Sequence, residues 1–285
     1  MNAKTYDIRP GQSLELLKEL HILTREGKMN QDSRRKLKQV YHLFQFIEPL
    51  LRDVLGEHAD ITLVDHGAGK SYLGFILYDL FFKEAAPQGR IWGIETRDEL
   101  VTRSRALADR LGFGGMTFLN LSVADSIDST ALPARIDVVT ALHACNTATD
   151  DAIRFALARQ ARHIVLVPCC QAEVAAELRR RKGEMLGHGA LTEVWRHPLH
   201  TREFGSHLTN VLRCLQLEAH GYQLNVTELV GWEHSMKNEL IVASFTGQKK
   251  RASARRLEEL LASTGLETLS GRFFVPAEAR ATGAA

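Results

Sequence analysis

Residues 61–77 read ITLVDHGAGKSYLGFIL. The first five, Ile61 to Asp65, form a short apolar run with β-branched side chains, the composition of a strand covered on both faces. From Leu73 the apolar positions Leu73, Ile76, Leu77 and Leu80 recur at helical spacing. Between them stands Asp65-His66-Gly67-Ala68-Gly69-Lys70-Ser71-Tyr72. A strand that enters a helix through a Gly-rich turn is the opening unit of a doubly wound α/β domain. Glycine at 67 and 69 lets the backbone bend tightly and approach a ligand, beside the free N–H donors of the helix start.

The same rhythm continues downstream, with short aliphatic runs separated by helical patterns, as in successive βαβ units. Strands are expected at 61–65, 91–95, 116–120, 136–141, 163–168, 222–230 and 239–245, and helices at 70–83, 97–111, 148–160, 171–181 and 202–220. The seventh strand follows a short connection near 231–238, which turns it antiparallel to its neighbours. The expected fold is therefore α/β, a doubly wound seven-stranded sheet over residues 59–247. An N-terminal helical segment, 1–58, packs on this core. It holds a small helix carrying Leu14, Leu17, Leu20 and Leu23, then a longer one with Asp32 or Ser33 as N-cap and a stripe from Leu37 to Leu51. A C-terminal extension, 248–285, offers a helix over Ala254 to Ser263, a strand over Gly271 to Val275 and a Gly/Ala-rich end.

Composition narrows the class. The chain has 285 residues, 45% hydrophobic and 25% charged, an ordinary globular balance. No apolar run reaches the roughly 20 residues of a membrane span, and no signal-peptide pattern opens the chain, so a cytoplasmic protein is expected. Four cysteines do not make a disulfide framework. The net charge of +2 does not announce a nucleic-acid binder, although a local basic face is compatible with it.

The turn after the first strand carries neither GxGxxG nor the phosphate-loop order G-x-x-x-x-G-K-[ST]. The second strand ends in Glu95, where a carboxylate can accept hydrogen bonds from both ribose hydroxyls of an adenosyl group or of NAD. After the third strand, Asp125 and Ser126 are candidates for the adenine edge, with a plain turn aspartate as the alternative. Asp65 either faces the ligand or fixes the turn.

Four stretches resemble a branch of class I S-adenosylmethionine-dependent methyltransferases containing the ribosomal-RNA-adenine-dimethylase-like domain proteins and the methyltransferase domain attached to a glutathione-S-transferase-like protein. They are RRKLKQVYHLFQFI (34–47), VDHGAGKSYLGFIL (64–77), ALHACNTATDDAI (141–153) with VPCCQ (167–171), and EHSMKNELIVA (233–243). The resemblance implies S-adenosylmethionine rather than NAD, held by Asp65, Gly67, Ala68, Gly69, Tyr72, Glu95, Asp125, Ser126 and Leu142. One departure is His66, where such families often carry Ile or Val.

In an open parallel sheet the loops after the strands' C-terminal ends face the ligand. That brings His143 to the reaction edge as a general base, or as a loop histidine bonded to a carbonyl. Asn146 is a candidate catalytic hydrogen bonder, and Thr149 or Asp150 a cap for the next helix. Pro168, Cys169 and Cys170 are candidates for a substrate wall, with a cis bond at Pro168 as an option. His143, Cys145, Cys169 and Cys170 contain the atoms for zinc without a recognised zinc spacing, so no metal is expected. Lys237 and Asn238 match a Lys-Asn pair of the family and are candidate catalytic residues, against the alternative of a polar hairpin loop. The helix before the first strand must run antiparallel to it. Its basic start, with Lys38, Gln39 and His42, therefore lies toward the same edge as a candidate acceptor surface. Together with Arg179, Arg180, Arg181 and Lys182 it suits a phosphate backbone, which makes RNA the favoured acceptor; a solvated helix face is the commoner meaning of such runs.

Overall fold

The computed structural model describes residues 8–142, 144–168, 171–180, 193–194, 196–229 and 239–277. Helices α1 (Leu14–Glu19) and α2 (Gln31–Leu55) precede the sheet. The core then follows as β1 (Thr62–His66), α3 (Tyr72–Leu77), a π-helical turn (Tyr78–Phe82), α4 (Lys83–Ala85), β2 (Arg90–Glu95), α5 (Asp98–Leu111) and β3 (Met116–Asn120). Next come α6 (Val123–Ser126), β4 (Val138–Ala141), α7 (Thr147–Ala158), β5 (His163–Leu166), α8 (Glu173–Arg180), α9 (Pro198–Ala219), β6 (Tyr222–Glu228), β7 (Glu239–Phe245) and α10 (Arg251–Ser263).

The seven strands form one sheet in the order β3-β2-β1-β4-β5-β7-β6. Strands β1 to β5 are parallel, and β7 runs antiparallel to both β5 and β6. The order reverses between β1 and β4, so a ligand crevice opens above their C-terminal ends. Each central strand is buried throughout, and the two-residue period sends its side chains to opposite layers. Leu63, Val138 and Val165 meet α1, α2 and α3 on one face. Val64, Val139 and Ile164 meet α7 and Leu217 of α9 on the other. A third cluster joins α8, α9 and α10 to Phe273 and Val275.

The seven strands expected in the sheet are present with ends shifted by one or two residues, and the helix boundaries differ for physical reasons. α3 starts at Tyr72 because Ser71 adopts a left-handed conformation, φ +50°. α9 starts earlier than expected, at Pro198, where a missing N–H costs nothing. The N-cap of α2 is Asn30, whose Oδ1 accepts the Ser33 N–H at 2.8 Å, rather than Asp32 or Ser33. Asp32 instead pairs with Arg35 and Lys36. Residues 271–275 form no strand, because the Arg272 and Phe273 N–H groups donate to Leu269 O and close a local turn. Among the described residues no helix is long and apolar enough to cross a membrane.

Candidate functional site

The turn after β1 is built on left-handed backbone, φ +62° at Gly67 and +58° at Gly69. Ala68 N–H bonds Ile94 O at 3.0 Å, which ties the turn to the end of β2. Gly69 N–H donates to Glu95 Oε2 at 2.7 Å across 26 residues of sequence. Burial acts to raise the Glu95 pKa, but hydrogen bonds from the Arg97 side chain, the Arg97 N–H and the Gly69 N–H outweigh it and hold the carboxyl at about 2. Glu95 is therefore an ionised acceptor facing the Gly-rich turn.

A cavity of about 360 Å³ opens beside this pair. Gly67, Glu95 and Arg97 line one side, Ser122, Val123 and Ala124 another, and Ala144, Cys145, Ala148 and Asp151 a third. Its size falls within the range of small-molecule and cofactor sites. An acidic strand end, a turn with glycine at 67 and 69 and a wall of small residues could hold an adenosyl group.

Several expected cofactor contacts stand elsewhere. Asp125 is exposed in the first turn of α6, where its carboxylate accepts the Ser122 hydroxyl at 2.6 Å; it does not line the cavity, and its neighbours Ser122 to Ala124 do. Ser126 is fully buried, donating to Val123 O at 2.6 Å and lying 3.0 Å from His66 Nε2, so its hydroxyl faces the core rather than a ligand. His66 packs edge-on against Phe155, ring centroids 4.6 Å apart, and burial lowers its pKa to about 3. Asp65 is likewise buried; burial raises its pKa to about 7 against the opposing hydrogen bond from the Thr140 hydroxyl, 2.7 Å away. Ala68 is buried under the turn.

Tyr72 and Leu142, expected at the cofactor, face a second space of about 230 Å³ in which Gln39 also takes part. Leu20, Val40, Leu43, Phe44 and Ile76 make most of its wall apolar, and Lys36 stands at its edge. Burial raises the Tyr72 hydroxyl pKa. The N-terminal half of α2 thus lies at the ligand edge of the sheet, as the antiparallel argument requires. Lys38 is exposed outside this groove, and His42 packs edge-on against Phe46 at 5.1 Å without lining it. The basic start of α2 is partly neutralised, because Arg35 and Lys36 share Asp32, and Arg180 pairs with Glu177 on α8.

Asn146 has φ +53° and ψ −123°, a backbone conformation that a non-glycine residue holds only under constraint. Its Oδ1 accepts the N–H groups of Ala172 and Glu173 at 3.0 and 3.3 Å and so caps α8, while its carbonyl accepts Arg213 Nη2 at 3.0 Å. Thr149 and Asp150 do not cap α7: the Thr149 hydroxyl donates to Ala144 O, and Asp150 receives Arg213 at 2.6 and 3.0 Å. Arg213 also donates to Asn210 Oδ1, which accepts Gln171; Gln171 in turn accepts the Ser206 hydroxyl, and Asn210 donates to Glu239. One buried network therefore joins the loops after β4 and β5 to the start of β7. Sequence reasoning missed Arg213, although an arginine within the apolar stripe of α9 beside Leu212 and Leu217 was its signal.

Pro168 is buried, and no cis peptide occurs among the described residues. Cys145 is exposed at the cavity. Among the described residues no group of three or more His, Cys, Asp or Glu side chains is arranged to hold a metal ion. His143, Cys169, Cys170, Lys237 and Asn238 lie outside the described residues.

The chain is similar in fold to a ribosomal RNA methylase from Streptococcus thermophilus, at 8% identity and TM-score 0.41, with 66% of this chain and 87% of that one covered. It is also similar to the magnesium protoporphyrin IX methyltransferase of Synechocystis PCC 6803 with bound SAH, at 13% identity, TM-score 0.43 and coverage of 81% and 93%. Aeropyrum pernix fibrillarin in complex with S-adenosyl-L-methionine matches at 11% identity and TM-score 0.40, covering 64% and 66%. No curated protein matches the chain. A methyltransferase-domain family matches residues 35–177, half of the chain. The chain belongs to that methyltransferase-domain family and is an enzyme whose cofactor is S-adenosylmethionine.

Proposed function

We propose that this enzyme transfers the methyl group to a nitrogen or oxygen nucleophile carried by RNA, in the cytoplasm. The observation that carries the catalytic part is the Gly69 N–H to Glu95 hydrogen bond at the rim of the 360 Å³ cavity, with a separate acceptor-sized groove on the Tyr72 and Leu142 side. In this reading Glu95 accepts the sugar hydroxyls, Gly67 and Gly69 give the methionine portion room, and the 122–124 segment lies against the base. The cofactor supplies an electrophilic methyl on a sulfonium. The chain's own task is then to hold the acceptor atom in line and exclude water, so that the transfer becomes effectively unimolecular. His143 serves as the base where the acceptor carries a proton to be lost, and Asn146, Lys237 and Asn238 as acceptor-side residues. Pro168, Cys169 and Cys170 are further acceptor-side candidates in this reading. The motifs ALHACNTATD and PCCQ support the finer kinship with the ribosomal-RNA-adenine-dimethylase-like branch.

Arg34 and Lys38, exposed on α2, support the RNA acceptor. The apolar groove supports a second reading, in which the acceptor is a protein side chain or a small molecule. Transfer of labelled methyl into fractionated cell RNA, protein and metabolites separates the two. Label in RNA, with affinity falling steeply as salt rises, is the expected result. Label confined to protein or metabolites overturns the RNA reading, and no label in any fraction favours a non-catalytic adenosyl-binding scaffold.

A further inference from the structure

The Glu95 carboxylate is already full. Gly69 N–H and Arg97 Nη2 donate to Oε2 at 2.7 and 3.3 Å. Arg97 N–H, Arg97 Nε and the Thr96 hydroxyl converge on Oε1 at 3.0, 2.9 and 3.3 Å. An ionised carboxyl offers about four acceptor directions, so this set leaves no room for two further hydroxyl donors. The two backbone N–H groups are fixed by the turn and the strand end. The guanidinium is the group that can leave: the Arg97 side chain is 60% exposed, against 8% for Glu95. A Cβ placed on Gly69 would lie 3.8 Å from Arg97 Nη2, so the guanidinium reaches over the Gly-rich turn as well as over the carboxylate.

The Nε–Nη2 fork takes one hydrogen bond to each oxygen of Glu95, the same pair of acceptors that the vicinal hydroxyls of a ribose would use. We infer that Arg97 is a tethered competitor for the cofactor's sugar, occupying the diol position on Glu95 and withdrawing when the nucleoside enters. Glu99, in the first turn of α5, also attracts the guanidinium. Arg97 is thus a positioning residue that acts through Glu95: it keeps the carboxylate ionised and aimed, and it lowers the affinity for any ligand that needs the carboxylate. Because the pair is exposed on the arginine side, salt weakens the competitor, and affinity for an adenosyl ligand of no net charge rises with ionic strength.

The inference rests on the proposed role of Glu95 as the sugar acceptor, and the test separates the two. Calorimetric titration with S-adenosylhomocysteine, which carries no net charge near neutral pH, is made on the full chain at low and high sodium chloride. Arg97→Ala is expected to bind about 2–5 times more tightly than the parent, the scale of an exposed ion pair, and to lose the rise with salt. Glu95→Gln, and the parent titrated with the 2′-deoxy analogue, are both expected to bind more weakly. Equal or weaker binding by Arg97→Ala, with the 2′-deoxy analogue still penalised, overturns the competitor role alone. No penalty for the 2′-deoxy analogue and none for Glu95→Gln overturns the sugar assignment itself. The analogue needs no altered protein, so a Glu95 variant that fails to fold leaves the test intact.

Discussion

Arg213 and Asp150, 63 residues apart, meet as a two-point ion pair at 2.6 and 3.0 Å with both side chains almost wholly out of water. Removing one partner strands the other charge in a low-dielectric interior. Arg213→Met is therefore expected to lower unfolding stability by about 3–5 kcal/mol, and Asp150→Leu in the same background to restore part of it. Urea midpoints of the two variants check this. A double variant no more stable than the single one would show that the other partners of Arg213, the Asn146 carbonyl and Asn210, carry the effect.

Gly67→Arg and Gly67→Ala separate backbone strain from obstruction. Both place an L-residue at φ +62°, costing about 1–2 kcal/mol of stability. Only arginine extends a long side chain from a residue that lines the cavity. Similar melting temperatures are expected, with S-adenosylhomocysteine binding lost in the arginine variant and weakened much less in the alanine variant. Retained binding by Gly67→Arg would show that the ligand does not pass over the turn.

Adjacent buried groups at the end of β1 make opposite contributions to acid stability. His66 is neutral in the folded chain down to about pH 3, whereas the unfolded imidazole binds a proton from its ordinary value near 6.5, so its contribution is lost as pH falls from about 6.5 toward 3. Asp65 keeps its proton up to about pH 7 in the folded chain but loses it near 3.8 when unfolded, so its contribution is full below 3.8 and is lost as pH rises toward 7. The two slopes oppose each other between pH 4 and 6.5. His66→Val is expected to leave the Asp65 slope exposed, with stability falling as pH rises through that window, and Asp65→Asn to produce the reverse. Denaturant titrations at pH 4.5 and 6.5 give the signs; equal slopes in both variants would contradict the pairing.

Asn146 combines a strained backbone with a useful side chain. Asn146→Gly releases the strain but loses the cap on α8, whereas Asn146→Ala loses the cap and keeps the strain. The alanine variant is expected to be less stable than the glycine variant by about 1–2 kcal/mol. Thermal unfolding in parallel measures the gap, and equal stabilities would mean that the loop relaxes without cost.

The sheet was legible because parallel strands covered on both faces are written as unbroken aliphatic runs, as in ITLVD, IDVVTA and HIVLVP. The turn was legible because glycine stands at both left-handed positions 67 and 69. The left-handed Ser71 and the π-helical turn after α3 had no comparable mark, whereas the cap at Asn30 is a local bond to Ser33 that competed with Asp32 and Ser33 as equally suitable residue types. Asp125 and Ser126 share one short helix, and only the three-dimensional path shows that the first is turned to solvent and the second inward to His66. The residue type at 126 suits either role. Arg213 was overlooked because a charged residue on a long helix reads as solvated until its stripe is known to be covered.

Strand β7 is the last to be synthesised, yet it lies inside the sheet, paired to β5 on one side and β6 on the other. β6 has no other partner among the described strands. During translation, then, a chain grown only as far as β6 carries that strand unattached and β5 with an open edge rich in aliphatic side chains, the kind of surface that recruits other chains. The sheet closes only once residues up to Phe245 have left the ribosome. Truncations before that point should aggregate, and so should removal of the segment beyond α10, because Phe273 and Val275 complete the core cluster of α8, α9 and α10.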